Sequence, residues 1–192
     1  MNADGSNQTR LTTTGHNGSP SFNGDGSKIA FASGNSLSLM GVDNIDGGNP
    51  NNVIYVMNAD GSNRTQLTTT GFDLDPSFSG DGSKIAFNST RDFQNEIYVM
   101  NADGSNQTRL TTTGDNYHPS FSQDGSKIAF NVFHDGISEI YVMNADGSGR
   151  TPLGLGGSPS FSGCPNPVIF VHETRKRKTN RLTQKHRLRR RK

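Results

Sequence analysis

Histidines and acidic residues, whose side chains can bind metals or transfer protons, lie in short polar segments of this 192-residue chain. Imidazole and carboxylate groups are the usual ligands and acid–base groups of protein sites. However, His16, His118 and His134 lie far apart in the sequence, and no two of them have the spacing of a metal site. We therefore expect solvated histidines, with neither a metal nor a cofactor.

Two further sets of oxygen ligands are weaker candidates for a cation site. Asp73 and Asp75 are two residues apart, where they would share a cation or a partner arginine, although we favour an acidic surface segment. The recurring segment Asn-Ala-Asp-Gly-Ser lacks the spaced carboxylates and the distal Glu of a calcium loop. Turn formation accounts for it better, and calorimetric titration with calcium would test both segments.

Catalytic motifs are not found in the chain. It contains no Gly-x-Ser-x-Gly nucleophile elbow, no phosphate-binding loop and no zinc-binding helix. The repeated Ser and Asp residues are explained by turns, and the single cysteine, Cys164, cannot form an internal disulfide. The sequence therefore predicts a protein that is not an enzyme.

The elements that must position the polar segments are internal repeats. Ile-Tyr-Val-Met-Asn-Ala-Asp-Gly-Ser begins at Ile54, Ile97 and Ile140, at a constant interval of 43 residues. Asp-Gly-Ser-Lys-Ile-Ala-Phe occurs at 25–31, 81–87 and 124–130. The β-branched and aromatic residues predict strands, and the Asn, Asp and Gly residues predict the turns between them. Four short strands per period of this length indicate a β-propeller blade.

The predicted fold is therefore all-β, an incomplete propeller of four-stranded antiparallel blades. We place the blades at about 10–57, 65–100 and 108–143, with a partial blade at 150–171 and a basic, disordered tail at 172–192. In Ile97–Met100 both faces of the strand are apolar, as expected for a sheet between two others. Only 29% of the residues are apolar, so stacking between blades must supply much of the stability.

These repeats resemble those of the TolB-like propeller family over about residues 1–171. The resemblance rests on Ile-Tyr-Val-Met-Asn-Ala-Asp-Gly, the following Leu-Thr, Pro-Ser-Phe-Ser and Asp-Gly-Ser-Lys-Ile-Ala-Phe. The family usually has Trp and Pro at two positions of the repeat where this chain differs. The tryptophan position holds Phe22, Phe78, Phe121 and Phe161 in this chain. The proline position holds Gly24, Gly80 and Gln123.

The resemblance implies a non-catalytic scaffold that binds a protein or peptide, as the TolB propeller does in the cell-envelope Tol–Pal system. It also implies a periplasmic or extracellular location, although the sequence shows no signal peptide and no transmembrane segment. The alternative is an accessory propeller of an exported serine peptidase of the prolyl oligopeptidase type. A hydrolase domain with a nucleophile elbow in the same gene would distinguish the two.

The number of repeats leaves two interpretations of the ring open. Three full repeats and a fragment are either part of a longer propeller or a half-ring that associates with a second copy through its open blade edges. The tail from Arg175 to Lys192 is strongly basic, whereas residues 1–171 are acidic. Because a block of charge alone specifies no partner, we expect a solvated tail rather than binding of nucleic acid or anionic lipid.

Candidate binding residues lie where the repeats differ from one another. Two connections vary, one between successive blades and one between the second and third strands of a blade, and both emerge on the same side of the propeller. Varied segments on a rigid scaffold are typical of a binding surface, although surface connections also vary freely on any fold. The candidates are His16, Asn17, Phe72, Asp73, Asp75, Arg91, Phe93, Asp115, Tyr117, His118, Phe133 and His134.

Overall fold

The computed structural model describes residues 1, 4–34 and 52–161, together with the backbone of 169–172. The first two copies of Asp-Gly-Ser-Lys-Ile-Ala-Phe are farther apart than the next two, which predicts an insertion loop between Phe31 and Ile54. Most of this loop, residues 35–51, lies outside the described residues, as do Cys164 and residues 173–192 of the basic tail. No helix in the described part is long and apolar enough to cross a membrane. The strands are β1 (His16–Phe22), β2 (Lys28–Gly34), β3 (Val53–Asn58), β4 (Thr65–Gln66), β5 (Asp73–Phe78), β6 (Lys84–Ser89), β7 (Glu96–Asn101), β8 (Thr108–Arg109), β9 (Asp115–Phe121), β10 (Lys127–His134), β11 (Ile137–Asn144), β12 (Thr151–Leu155), β13 (Gly157–Phe161) and β14 (Ile169–His172).

Consecutive strands pair into antiparallel sheets in chain order. Strands β1–β4, β5–β8 and β9–β12 form three four-stranded sheets, and β13 pairs with β14. The first strands of successive sheets are in contact, β1 with β5, β5 with β9 and β9 with β13. The sheets therefore stack face to face and radiate from their first strands, which confirms the predicted open propeller of four-stranded blades.

Each complete sheet begins and ends several residues later in the chain than the corresponding predicted blade. The Leu-Thr segment, which those boundaries place first in a blade, follows the last strand of a sheet, because Tyr55 of β3 pairs with Gln66 of β4. The cause is the tight turn before β4, in which the amide of Asn58 donates to the carbonyl of Ser62 at 2.9 Å and reverses the chain. The three complete sheets consequently span 16–66, 73–109 and 115–155.

The third strands form the centre of the core. Ile97, Tyr98, Val99 and Met100 are all buried. Tyr98 and Met100 belong to the apolar cluster between the first and second sheets, and Ile97 and Val99 belong to the cluster between the second and third. The prediction that both faces of this strand are covered is therefore confirmed.

The Leu-Thr segment closes the first and second sheets through a side-chain hydrogen bond. The hydroxyl of Thr68 accepts the backbone N–H of Ile54 at 2.9 Å, and that of Thr111 accepts the N–H of Ile97 at 2.8 Å. Both threonines are buried. Because a buried N–H without a partner is costly, this contact explains why the segment is repeated with the core strand.

Neighbouring blades approach closely at the turn after the first strand. A Cβ added to Gly24 would lie 1.8 Å from the carbonyl oxygen of Gly80, and one added to Gly80 would lie 1.9 Å from that of Gln123. A side chain at either position would overlap the next blade. The two glycines that replace the proline of the resemblance are thus required by the packing of this chain.

Candidate binding site at the variable end of the blades

The varied connections lie at one end of the blades, which we call the variable end. The connections from second to third strands and from each sheet to the next occur there, whereas the constant turns lie at the opposite, constant end. Part of each inter-blade connection is a strand in the structure, since His16, Asp73 and Asp115 begin β1, β5 and β9. These three residues therefore lie at the variable end in strands and not in loops.

A β-bulge in the first strand of each sheet explains the difference. Register shifts interrupt the pairing of β1, β5, β9 and β13 with their partners. One residue before a proline has a left-handed backbone at the same position in each first strand, with φ between 49° and 50°. Proline has no N–H for the ladder, so strands that contain it bulge. The four left-handed residues are Ser19, Asp75, His118 and Ser158.

Three of these bulge residues form a hydrogen-bonded row across three blades. The hydroxyl of Ser19 donates to Oδ1 of Asp75 at 2.6 Å, and Nδ1 of His118 lies 2.9 Å from Oδ2 of the same carboxylate. The Asn88 amide, oriented to satisfy its neighbours, also donates to Oδ2 at 3.0 Å. The row thus connects the first strands of successive blades.

The row sets the protonation of its two titratable groups. Burial opposes ionisation of Asp75, but the hydrogen bonds from His118 and Ser19 outweigh it and lower the pKa of the carboxyl group. The hydrogen bond to Asp75 raises the pKa of His118 against the opposing effect of burial. Ser19 donates to the carboxylate and not to the imidazole, so the row does not have the nucleophile-to-base contact of a serine hydrolase.

A cleft of about 350 Å³ lies beside the row, between the third sheet and the β13–β14 pair. Asn131 fixes its wall, because Oδ1 accepts the N–H of Ser158 at 2.7 Å and Nδ2 donates to the Ser138 hydroxyl at 2.8 Å. The hydroxyl of Tyr117 accepts a hydrogen bond from Asn95 at 2.9 Å. The lining residues are Tyr117, His118, Asn131, Phe133, Ser138, Gly157 and Ser158.

Exposed apolar side chains project near the cleft at the variable end. A two-residue turn with positive φ at Asp135 and Gly136 joins β10 to β11, as in a type I′ hairpin. Phe133 and Ile137, beside this turn, are 46% and 45% exposed. In the second sheet, the corresponding connection presents Phe93, which is fully exposed.

Other predicted site residues are engaged within the blades. Asp73 is buried, and both of its carboxylate oxygens lie 3.1 Å from Nη2 of Arg91. The guanidinium of Arg91 also lies over the rings of Phe87 and Tyr98, at 5.3 and 4.6 Å from their centres. Asn17 donates to the carbonyl oxygens of two residues in the turn before β1. These contacts stabilise the blades.

The remaining candidates lie near the variable end without contacting one another as a single cluster. His16 is exposed at the start of β1, and Phe72 is half-buried before β5. Nε2 of His134 lies 2.8 Å from Oε2 of Glu139. Asp115 begins β9, where its charge contributes, after burial, to raising the pKa of Tyr117. The structure therefore brings together Asp75, Tyr117, His118 and Phe133 around the cleft and its row.

A buried glutamate is a feature that the sequence did not predict. Glu96 is fully buried and accepts hydrogen bonds from Arg109 at 2.6 Å, from Asn116 at 2.8 Å and from the Thr111 hydroxyl. The only difference in the sequence that pointed to this position is that Val53 precedes Ile-Tyr-Val-Met in the first repeat, where Glu96 precedes it in the second. Among the described residues, no group of three histidine, cysteine, aspartate or glutamate side chains is placed to hold a metal ion.

Comparison with known proteins identifies the family of these repeats. The family model of the TolB beta propeller domain matches residues 34–187. The chain belongs to the TolB beta propeller domain family. As a member, it shares its blade architecture with solved TolB structures. No curated protein matches the chain.

Several solved propellers are similar to this TolB-family chain. TolB from Acinetobacter baumannii aligns with a TM-score of 0.64 and 27% identity, over 79% of this chain and 37% of that protein. A TolB-type protein from Agrobacterium tumefaciens aligns with a TM-score of 0.63 and 24% identity, over 74% of this chain and 50% of that protein. The chain thus spans half or less of the length of these TolB structures.

Peptidase propellers share the fold at lower identity. Acylaminoacyl peptidase from Pyrococcus horikoshii aligns with a TM-score of 0.54 and 13% identity, over 73% of this chain and 25% of that protein. At this level of identity the likeness shows the fold alone. The blade architecture is therefore common to TolB structures and to a peptidase.

Proposed function

We propose that the chain is a non-catalytic propeller scaffold that binds a protein or peptide at its variable end. The observation that carries the proposal is the cleft lined by Tyr117, His118 and Phe133 on a rigid row of blades. Hydrogen bonds between blades hold the walls of this cleft, so a ligand meets a preformed surface. Propellers of the TolB family provide the precedent for such a role.

Aromatic side chains favour a peptide ligand over a small polar molecule. Phe133 lines the cleft and is partly exposed, and Phe93 is fully exposed on the neighbouring connection. Exposed aromatic side chains beside a cleft are typical anchors of protein interfaces. An extended peptide across the two connections would cover both rings. A cell-envelope protein is the class of partner that the relation to TolB favours.

A peptide library displayed on phage and selected on the immobilised protein tests this proposal. We expect selected peptides to bind at least roughly tenfold more weakly to a Phe93→Ala/Phe133→Ala double variant, because truncating aromatic anchors costs more than about 1.4 kcal/mol. Both side chains are exposed, so the melting temperature should not change. Leu153 on β12 is about as exposed as Phe133, so Leu153→Ala is the matched control and should bind normally.

The outcome that contradicts the proposal is equally specific. If no peptide is selected, or if the double variant binds as tightly as the original chain, the variable end is not the binding surface. The double variant is preferable to Tyr117→Ala or His118→Ala. Tyr117 and His118 also hold neighbouring strands together, through Asn95 and Asp75. Replacing either residue would therefore change the stability of the fold as well as any binding of a peptide.

A further inference from the structure

The first sheet has an apolar face that no other sheet covers among the described residues. Phe22 is 60% exposed there, whereas Phe78 and Phe121, at the same position of the following sheets, are each 6% exposed. A groove of about 440 Å³ lies on this face, between Phe22 and the N-terminal segment at residues 8–12. Leu11 of that segment packs on the buried Ile29 and Phe31, so Phe22 is the exposed part of the face. Apolar surfaces of this kind usually mark a contact with another protein surface.

The internal repeat shows which surface covers such a face. In each following sheet, the equivalent side chains pack on the second and third strands of the sheet before it, where alanine and β-branched residues predominate. Between the first and second sheets the packed residues are Ala30, Ala32, Ile54 and Val56 on one side and Phe78, Ile85, Phe87 and Met100 on the other. Between the second and third they are Ala86, Ile97 and Val99 on one side and Phe121, Ile128, Phe130 and Met143 on the other.

A polar contact repeats with the apolar one. The hydroxyl of Ser21 accepts the N–H of Phe78 at 3.2 Å, and that of Ser77 accepts the N–H of Phe121 at 3.0 Å. The N–H of Phe22 is the equivalent donor on the first sheet. It points away from β2, because the next amide, that of Asn23, is the one that donates across the turn to Lys28.

The last described sheet carries the matching acceptor. Ser160 of β13 occupies the position of Ser21 and Ser77 in the repeat, and it is exposed. The first sheet therefore presents the donor and the apolar side chains of a blade contact, and the last sheet presents the corresponding serine. The donor and the equivalent serine lie at opposite ends of the stack, so this contact would join unlike surfaces.

We propose that the apolar face of the first sheet docks a second copy of this chain head to tail, against the β13–β14 sheet of that copy. The contact continues, between two molecules, the packing that already joins successive sheets within one molecule. A contact of this kind joins different surfaces of the two copies and closes into a ring where the rotation permits. The proposal does not depend on the peptide-binding function.

Light scattering of the full chain during gel filtration tests the contact. The molar mass should rise with concentration from the 20.7 kDa monomer to at least twice that value. Phe22→Asp should remain monomeric at every concentration. Leu153→Asp introduces the same charge at an exposed apolar residue outside the face and should associate as the original chain does. A monomeric original chain, or equal effects of the two substitutions, would overturn the proposal.

Mixing the variant with the original chain tests the orientation. In a head-to-tail contact, tagged Phe22→Asp keeps an intact last sheet, so it should capture one copy of the untagged original chain through the Phe22 face of that copy. In a head-to-head contact, both faces would need Phe22, and the variant would capture nothing. Capture supports the proposed arrangement, and failure of capture between folded proteins overturns it. Circular dichroism of the variant establishes that it is folded.

Discussion

At the scale of single residues, the arginines that lie over aromatic rings show how the blades tolerate differences between repeats. Arg64 and Arg150 follow the constant turns of the first and third sheets and lie over a Phe–Tyr pair in each. In the second sheet Gln107 occupies that position, and Arg91 approaches the rings from the variable end instead. The guanidinium–aromatic contact is thus retained although its source changes.

The Arg91→Ala substitution should be costly because it leaves the Asp73 carboxylate buried without a cation. We expect the free energy of unfolding to fall by about 3 kcal/mol. Arg64→Ala is the matched control, since it loses the ring contacts and a hydrogen bond to the Ser33 hydroxyl but leaves no buried carboxylate, and we expect a cost of about 1 kcal/mol. Chemical denaturation measures both. Equal costs would contradict the role assigned to Asp73, and Asp73→Asn should recover part of the loss in Arg91→Ala.

The His118–Asp75 pair should make stability depend on pH. The raised pKa of His118 gives a contribution that is complete below 6.5 and lost as the pH rises through the folded value. The lowered pKa of Asp75 gives a contribution present above 3.8 and lost as the pH falls through the folded value. The pair therefore stabilises the fold most between these limits.

Comparison with His118→Gln measures this effect. The melting temperature of the original chain should exceed that of the variant at about pH 5.5 and approach it at about pH 8.5. Because His118 is half-exposed, solvent screening keeps the difference in the free energy of unfolding between the two proteins below about 1 kcal/mol. A difference that is the same at both values, or larger at the alkaline one, is incompatible with the ion pair.

At the scale of elements, the close approach of neighbouring turns makes a glycine indispensable. Gly80→Ala would place a Cβ against the backbone of the next blade, where neither side can move without shifting the sheet. We expect a loss of about 2 kcal/mol or more in the free energy of unfolding. Gly18→Ala is the control, because its added Cβ meets no atom within 4 Å and the position does not have a positive φ.

The outcome for the control decides the interpretation. Gly18→Ala should change stability by no more than about 0.5 kcal/mol, as expected for an open surface position. If both substitutions cost the same, the loss arises from the backbone of the first strand in general and not from contact between blades. Thermal denaturation of the two variants under the same conditions is sufficient to distinguish these cases.

The strands were predictable from the sequence because each carries a repeated pattern with a strong local preference. The four strands of a blade, their turns and the covered faces of Ile97–Met100 all follow from the 43-residue repeat. The blade boundaries did not follow, because the same strands can be grouped from either end of the repeat. Only the tight turn before β4 determines which sheet that strand joins.

The site was predictable only in part, because its contacts cross from one blade to another. Differences between repeats indicated Asp75 and His118 as candidates, but not that Asp75 lies between Ser19 and His118. Their left-handed backbones arise from a bulge that the sequence does not indicate beyond the following proline. In the same way, the pairing of Asp73 with Arg91 depends on a connection folding back over its own sheet.

At the scale of the whole molecule, the two ends of the blades differ in their residues and their turns. The constant end consists of repeated Asx turns, in which aspartates accept hydrogen bonds from their own turn; those from the Ser122 hydroxyl and from Ser126 lower the pKa of Asp124 to about 2. The variable end carries the cleft and the exposed aromatic side chains. A scaffold of near-identical blades can thus present one surface that differs from blade to blade.

Hydrogen–deuterium exchange of the chain with a peptide selected from the phage library tests this division most directly. We expect slower exchange at 88–95, 115–118 and 131–139, with no change in the constant turns at 58–64 and 101–107. Protection confined to the constant turns, or spread equally over both ends, would contradict the claim that the variable end is the binding surface.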